Sequence, residues 1–134
     1  MQIKVGIIGG AGYTGGELLR ILVNHPSVTI AFAHSSSNGG NLISSVHTDL
    51  LGDTDLLFAT TAEMEAQLLS IDVLFLCAGH GEGKKFLSSH VLADHTKVID
   101  LSHDFRLKES ASQAGRSFIY GLPELHREEI KLAT

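Results

Sequence analysis

The sequence predicts an α/β fold built on a doubly wound parallel sheet, and three observations predict it. Short aliphatic runs at residues 3–8, 28–33, 72–77 and 97–101 have the length and apolar content of buried parallel strands. Segments with helical spacing fall between them, and alternating strands and helices give a parallel sheet with helices on its faces. Five glycines crowd into residues 9–16, between the first strand and the first helix.

The elements follow in order. Residues 3–8, Ile-Lys-Val-Gly-Ile-Ile, make the first strand. From about Gly15, the residues Leu18, Leu19, Leu22 and Val23 recur at helical spacing until Asn24-His25-Pro26 stops them. Residues 28–33 form the second strand, and the Ser-, Asn- and Gly-rich stretch 34–41 reads as a loop. A weak strand is expected at 56–59, then a short amphipathic helix over 62–69 capped by Thr60 or Thr61. Residues 72–77 carry the strongest strand signal and run into Ala78-Gly79-His80-Gly81. A helix is expected over 82–93, a strand over 97–101, and one or two helical turns over 126–132. The polar stretch 106–117 shows no period. Ile130 and Leu132 read as the lead-in to another element, so residues 1–134 are expected to be one domain of a longer two-domain protein.

Composition narrows the function classes. A chain of 134 residues buries roughly two-thirds of its unfolded surface, enough for a real core. With 43% hydrophobic and 19% charged residues, and a mean hydropathy of +0.16, disorder is excluded. Ten basic against fifteen acidic residues give a net charge of −5, and no basic cluster exceeds Lys84-Lys85, which argues against nucleic acid. No apolar run approaches the roughly 20 residues that span a bilayer. Met1-Gln2 leads straight into a strand, so no signal peptide is expected. A lone cysteine, Cys77, fits a reducing, cytoplasmic setting. The eight histidines contain no His-x-x-x-His pair and no neighbouring cysteine, so no metal site is expected.

The glycines carry the chemistry. Gly9-x-x-Gly12-x-x-Gly15 follows a strand and opens a helix, the setting in which such a triplet binds a pyrophosphate. Glycine permits the tight turn and a close backbone approach, and the helix start supplies unpaired N–H groups and a positive dipole. Tyr13 and Thr14 line the turn. There is no Gly-x-x-x-x-Gly-Lys-Ser/Thr, so the reading is a Rossmann-type NAD(P)-binding domain and not a P-loop nucleotidase. The alternative is a strand-to-helix turn whose glycines serve packing alone.

The second strand ends His34-Ser35-Ser36-Ser37, and between residues 28 and 52 the one carboxylate is Asp49. A carboxylate would repel a 2′-phosphate, whereas serine hydroxyls donate to one. Ser35 and Ser37 are therefore expected at the adenosine ribose, and NADP is favoured over NAD, although no Arg stands there. Ala78, Gly79 and His80, at the end of another strand, are expected to border the nicotinamide.

Five blocks now carry a family likeness: Gly9-Gly-Ala-Gly-Tyr-Thr-Gly15, Ser37-Asn-Gly-Gly-Asn41, Ser44-Ser-Val-His47, Val98-Ile-Asp-Leu-Ser-His-Asp-Phe-Arg-Leu107 and Tyr120-Gly-Leu-Pro-Glu-Leu125. In this order they closely resemble the N-terminal part of the N-acetyl-gamma-glutamyl-phosphate reductase family, over essentially the whole chain. The last two blocks are the most specific. Aspartate-semialdehyde dehydrogenase shares the fold and a similar glycine loop but is less similar in those blocks. The resemblance implies an NADPH-dependent reduction of an acyl phosphate to an aldehyde with release of phosphate, in arginine biosynthesis. It implies a cysteine nucleophile in an Asn-Pro-Gly-Cys segment beyond Thr134, so no catalytic residue is expected within the chain. A homo-oligomer is expected for the full-length protein, with a small-molecule substrate and neither membrane nor nucleic-acid partner.

Against the family pattern, Ser36 stands where many members have Arg and Asn41 where many have Lys. Ala78-Gly79-His80-Gly81 replaces a frequent Leu-Pro-His-Gly, and the segment 108–118 is short. Cys77, three residues from His80, is not expected to substitute for the nucleophile, because a free cysteine on an apolar strand behaves as a small hydrophobe. Ser102 and Arg106 leave the carboxyl end of a strand, where ligands bind. Arg106 is expected either to fork onto the acyl phosphate or to pair with Asp100 or Asp104. Ser102-His103-Asp104 is no triad, since triad members come from separate segments. A non-catalytic dinucleotide-sensing module is the reading from another functional class.

Overall fold

The computed structural model describes residues 2–133. A parallel sheet of four strands in the order β2-β1-β3-β4 forms its centre. β1 (Ile3–Ile8) pairs with β2 (Val28–His34) on one side and β3 (Val73–Leu76) on the other, and β4 (Lys97–Asp100) extends β3. The chain thus leaves β1 in one direction for β2 and returns past it for β3. That reversal is the switch point outside which open α/β sheets bind ligands.

Side chains alternate along the strands and fill two cores. Val5 and Ile7 face one side and pack with Leu19 and Leu22 of α1 (Tyr13–Leu22), Ile43 and Phe58. Ile8, Leu74 and Leu76 face the other, with Met64 of α2 (Thr61–Gln67) and Phe86 and Leu87 of α3 (Glu82–Ser89). Helices on both faces make the sheet doubly wound, as expected. Ile7, Leu74 and Ile71 are fully enclosed, and burial of such a side chain stabilises the fold by about 1.5–3 kcal/mol.

Local chemistry sets the boundaries. α1 begins at Tyr13, two residues before the expected start, because Gly12 is its extended N-cap. Thr60 caps α2 in a reciprocal box: its hydroxyl accepts the Glu63 N–H while the Glu63 carboxylate accepts the Thr60 N–H. α3 stops at Ser89 and not near residue 93. There the Ser88 and Ser89 hydroxyls donate to the Lys85 carbonyl and His90 turns extended. Residues 56–59 form no strand, only isolated bridges between His34 and Ala59 and between Leu42 and Leu57.

The stretch after β4 is better ordered than its sequence implies. A two-stranded hairpin, β5 (Ser112–Gln113) and β6 (Arg116–Ser117), turns on Ala114 and Gly115, both at positive φ. Arg116 pins it to the body by donating to the carbonyls of Thr96 and Ala93 at 2.7 and 2.9 Å. α4 (Pro123–Leu132) starts three residues earlier than expected, with proline in its first turn, and kinks at His126. Among the described residues no helix is long and apolar enough to cross a membrane.

Candidate functional site

Two loops meet at the carboxyl edge of β1 and β3. Gly9, at φ +82°, turns the chain out of β1, and its N–H and that of Gly10 both donate to the His34 carbonyl. A Cβ on Gly9 would lie 2.8 Å from the backbone of Cys77 and Ala78, so glycine lets the loop touch the exit of β3. On Gly15 a Cβ would drive into the Gly9 carbonyl and reach Gly10 Cα at 2.8 Å. Packing alone explains these two glycines.

Gly12 is different. Its φ of −79° and ψ of 175° suit any residue, and a Cβ would meet just the Gly9 oxygen, at 3.6 Å. Neither packing nor backbone angle needs a glycine here. Around it, among the described residues, the N–H groups of Ala11, Tyr13, Thr14 and Gly15 have no acceptor, and no side chain caps α1. Unpaired N–H groups and the positive end of a helix dipole form a seat for an anion.

At the end of β2, Ser35 is buried, and its Oγ accepts from both the backbone and the side-chain amide of Asn38. The exposed Ser37 Oγ accepts from the same side chain at 3.1 Å. Both hydroxyls keep their hydrogens for donation. No carboxylate stands on this turn.

Beyond β3, His80 stacks face to face on His103, with ring centroids 3.5 Å apart. The buried Asp104 completes a group whose donor atoms lie within 4.8 Å of one another. Sequence spacing missed this cluster because its members leave two different strands. Rings so nearly parallel, at 8°, aim their lone pairs side by side and not at one point, and both Asp104 oxygens already accept backbone N–H groups. The arrangement is a stack over a helix cap.

Cys77 lies beside this loop with its N–H donated to the Ile8 carbonyl. Burial, and secondarily the Asp100 charge, push its thiol up to about 12, so it is no thiolate at neutral pH.

A cavity of about 600 Å³ opens beside β4, lined by Ser102, Phe105, Arg106 and Tyr120 among others. The Ser102 hydroxyl donates to Asp100 and accepts the Asp104 N–H, so its hydrogen is engaged. The expected alternative pairing of Arg106 with Asp100 or Asp104 does not form. Arg106 stands over the Tyr120 ring at 5.7 Å and makes no ion pair among the described residues.

A parallel sheet with a glycine turn and an open helix start at its switch point defines a dinucleotide-binding domain of Rossmann type. More particularly, the model of the semialdehyde dehydrogenase NAD-binding domain matches residues 4–133, and the chain belongs to that family. A nicotinamide dinucleotide is accordingly the class of cofactor it takes. The N-acetyl-gamma-glutamyl-phosphate reductase of Azobacteroides pseudotrichonymphae is 52% identical over 98% of this chain and 39% of its own length. That of Phocaeicola vulgatus is 55% identical over 96% of this chain and 38% of its own. The chain thus spans under two-fifths of the curated relatives it matches. Among solved structures, aspartate semialdehyde dehydrogenase with NADP from Candida albicans superposes with a TM-score of 0.58 at 19% identity. It covers 79% of this chain and 31% of that one, and the likeness is one of fold.

Proposed function

We propose that this chain is the cofactor-binding domain of an NADPH-dependent N-acetyl-gamma-glutamyl-phosphate reductase, within a larger two-domain enzyme. The observation that carries the dinucleotide reading is Gly12, a glycine that neither packing nor backbone angle demands, set among unpaired N–H groups. Relatives of that name at 50 to 55% identity support the choice of reductase.

In this reading Gly9, Gly12 and Gly15, with Tyr13 and Thr14, cradle the pyrophosphate. Ser35 and Ser37 face the adenosine ribose, and Ala78, Gly79 and His80 border the nicotinamide. The hydroxyls at the end of β2, with no carboxylate among them, favour NADP over NAD. When bound, the cofactor supplies a hydride. Arg106, which lines the cavity and has no carboxylate partner among the described residues, takes the acyl phosphate, and Ser102 holds the turn that presents it. The nucleophile comes from outside these residues, since the Cys77 thiol stays protonated.

Calorimetric titration of the chain with NADPH and NADH tests the reading. Saturable binding with NADPH the tighter is expected. Tighter NADH binding overturns the NADP assignment, and no binding of either overturns the whole reading.

A further inference from the structure

Beneath the glycine loop lies a segment that the reading above does not use. A 3₁₀ turn, Ile43–Ser45, leads to His47, a buried histidine at 7% exposure. His47 Nε2 lies 2.8 Å from the carbonyl oxygen of Gly10, 37 residues away. A carbonyl only accepts, so Nε2 carries the hydrogen and donates it. The ring packs edge-on against Phe58, with centroids 6.1 Å apart. Its other side closes on α1, where a Cβ on Gly16 would sit 2.5 Å from His47 Cε1 and 2.7 Å from Nδ1. A Cβ on Gly10 would press on Ala33 and Phe58 at 3.2 and 3.3 Å. The two glycines that the Gly9-x-x-Gly12-x-x-Gly15 pattern leaves over are therefore the two that lie against the His47 and Phe58 floor.

The consequence falls on the next peptide group. In a planar trans peptide the C=O and the following N–H point in opposite directions. Drawing the Gly10 carbonyl down to His47 turns the Ala11 N–H away from the core, and among the described residues it has no acceptor. We propose that His47 is a positioning residue for the anion seat. It fixes the Gly10–Ala11 peptide so that the Ala11 N–H joins those of Tyr13, Thr14 and Gly15 in facing the pyrophosphate. A half-turn of that peptide would present a carbonyl oxygen to the anion instead. The inference rests on the dinucleotide reading.

The test is NADPH titrated into the chain and its His47→Leu and His47→Gln variants, each with its melting curve. Leucine fills the space without a donor, and about tenfold weaker binding is expected, the scale of one lost hydrogen bond. Glutamine keeps a donor and should recover most of that loss. A folded His47→Leu that binds like the unaltered chain overturns the inference, and so does a glutamine variant no better than leucine. Should the leucine variant not fold, the ¹⁵N-labelled unaltered chain decides. The Ala11 amide should be among those most shifted by NADPH, and an unmoved Ala11 amide overturns the proposal. Failure of the unaltered chain to bind NADPH would instead sink the dinucleotide reading, and the inference with it.

Discussion

Asp104 Oδ1 accepts the backbone N–H of Gly81 at 2.7 Å, clamping the loop after β4 onto the start of α3, 23 residues back in the chain. Its other oxygen takes the Lys84 N–H at 3.4 Å. α1 and α3 both begin at the carboxyl edge of the sheet, but their starts differ. A carboxylate of the chain already fills the positive end of α3, while among the described residues no side chain caps that of α1. An anion reaching this edge is therefore steered to the glycine loop.

Removing that cap should destabilise the fold. Asp104→Ala strands two N–H groups and should lose about 1–3 kcal/mol in urea unfolding. Burial pushes the carboxyl up, but the bonds from Gly81 and Lys84, with His103 and Lys84 nearby, outweigh it, and the net shift is downward. A lowered folded pKa stabilises above the unfolded value near 3.9, and that contribution disappears as pH falls through the folded one. Asp104→Asn should flatten this part of the acid limb, which lies below the unfolded value. An acid limb identical to that of the unaltered chain would contradict the assignment.

Gly12 and Gly15 should separate binding from folding. The Cβ of Gly15→Ala meets backbone that cannot yield, so a loss of about 1–3 kcal/mol is expected. Gly12→Ala has room and an ordinary φ, so its stability should fall by no more than about 1 kcal/mol, the cost of alanine at a helix N-cap. Its NADPH affinity should nevertheless fall tenfold or more, about 1.4 kcal/mol. Melting curves and titrations on the two variants check this, and a Gly12→Ala that binds normally would leave that glycine without a ligand-based explanation.

The sheet was legible because each strand is a dense aliphatic run and the glycine triplet lies where the turn must be. A cap at Thr60 or Thr61 was legible because capping is local chemistry; the structure chooses Thr60 and adds Glu63 as its reciprocal partner. Tertiary contacts were not readable. The Ala114-Gly115 turn lacks the usual Asn-Gly signal, and the Arg116 bonds to Thr96 and Ala93 that hold the hairpin span 20 and 23 residues. His47 under Gly10 and Asp104 over Gly81 are likewise long-range pairs. Ser44-Ser-Val-His47 stood out as a motif, but nothing in its spacing says which carbonyl the histidine meets.

Cys77 should be inert. With its thiol pushed up to about 12, Ellman's reagent at pH 8 should react far more slowly with the folded chain than with the unfolded one. The sign for stability follows: above about pH 8.5 the unfolded thiol ionises while the folded one stays protonated, so stability falls as pH rises. Cys77→Ala should remove that part of the alkaline decline. Rapid labelling of the folded chain would mean a thiolate within reach of the candidate site.

Arg106 offers the sharpest test of the substrate side. Its guanidinium stands over Tyr120 with no carboxylate partner among the described residues, while Asp100 is engaged by Ser102 and Asp104 by the α3 start. A cation left free at the carboxyl end of a strand, beside a cavity of about 600 Å³, suits a phosphate better than a structural ion pair. Loss of such a charge-assisted contact is worth about 1.5–3 kcal/mol, roughly ten- to a hundredfold. On the proposed reading, Arg106→Ala in the full-length protein should raise KM for the acyl phosphate by that factor. NADPH affinity, which that reading assigns to the glycine loop, should not change. Arg106→Lys should recover only part, because an ammonium keeps the charge and loses the fork. Weakened NADPH binding with an unaltered acyl-phosphate KM would move Arg106 to the cofactor side.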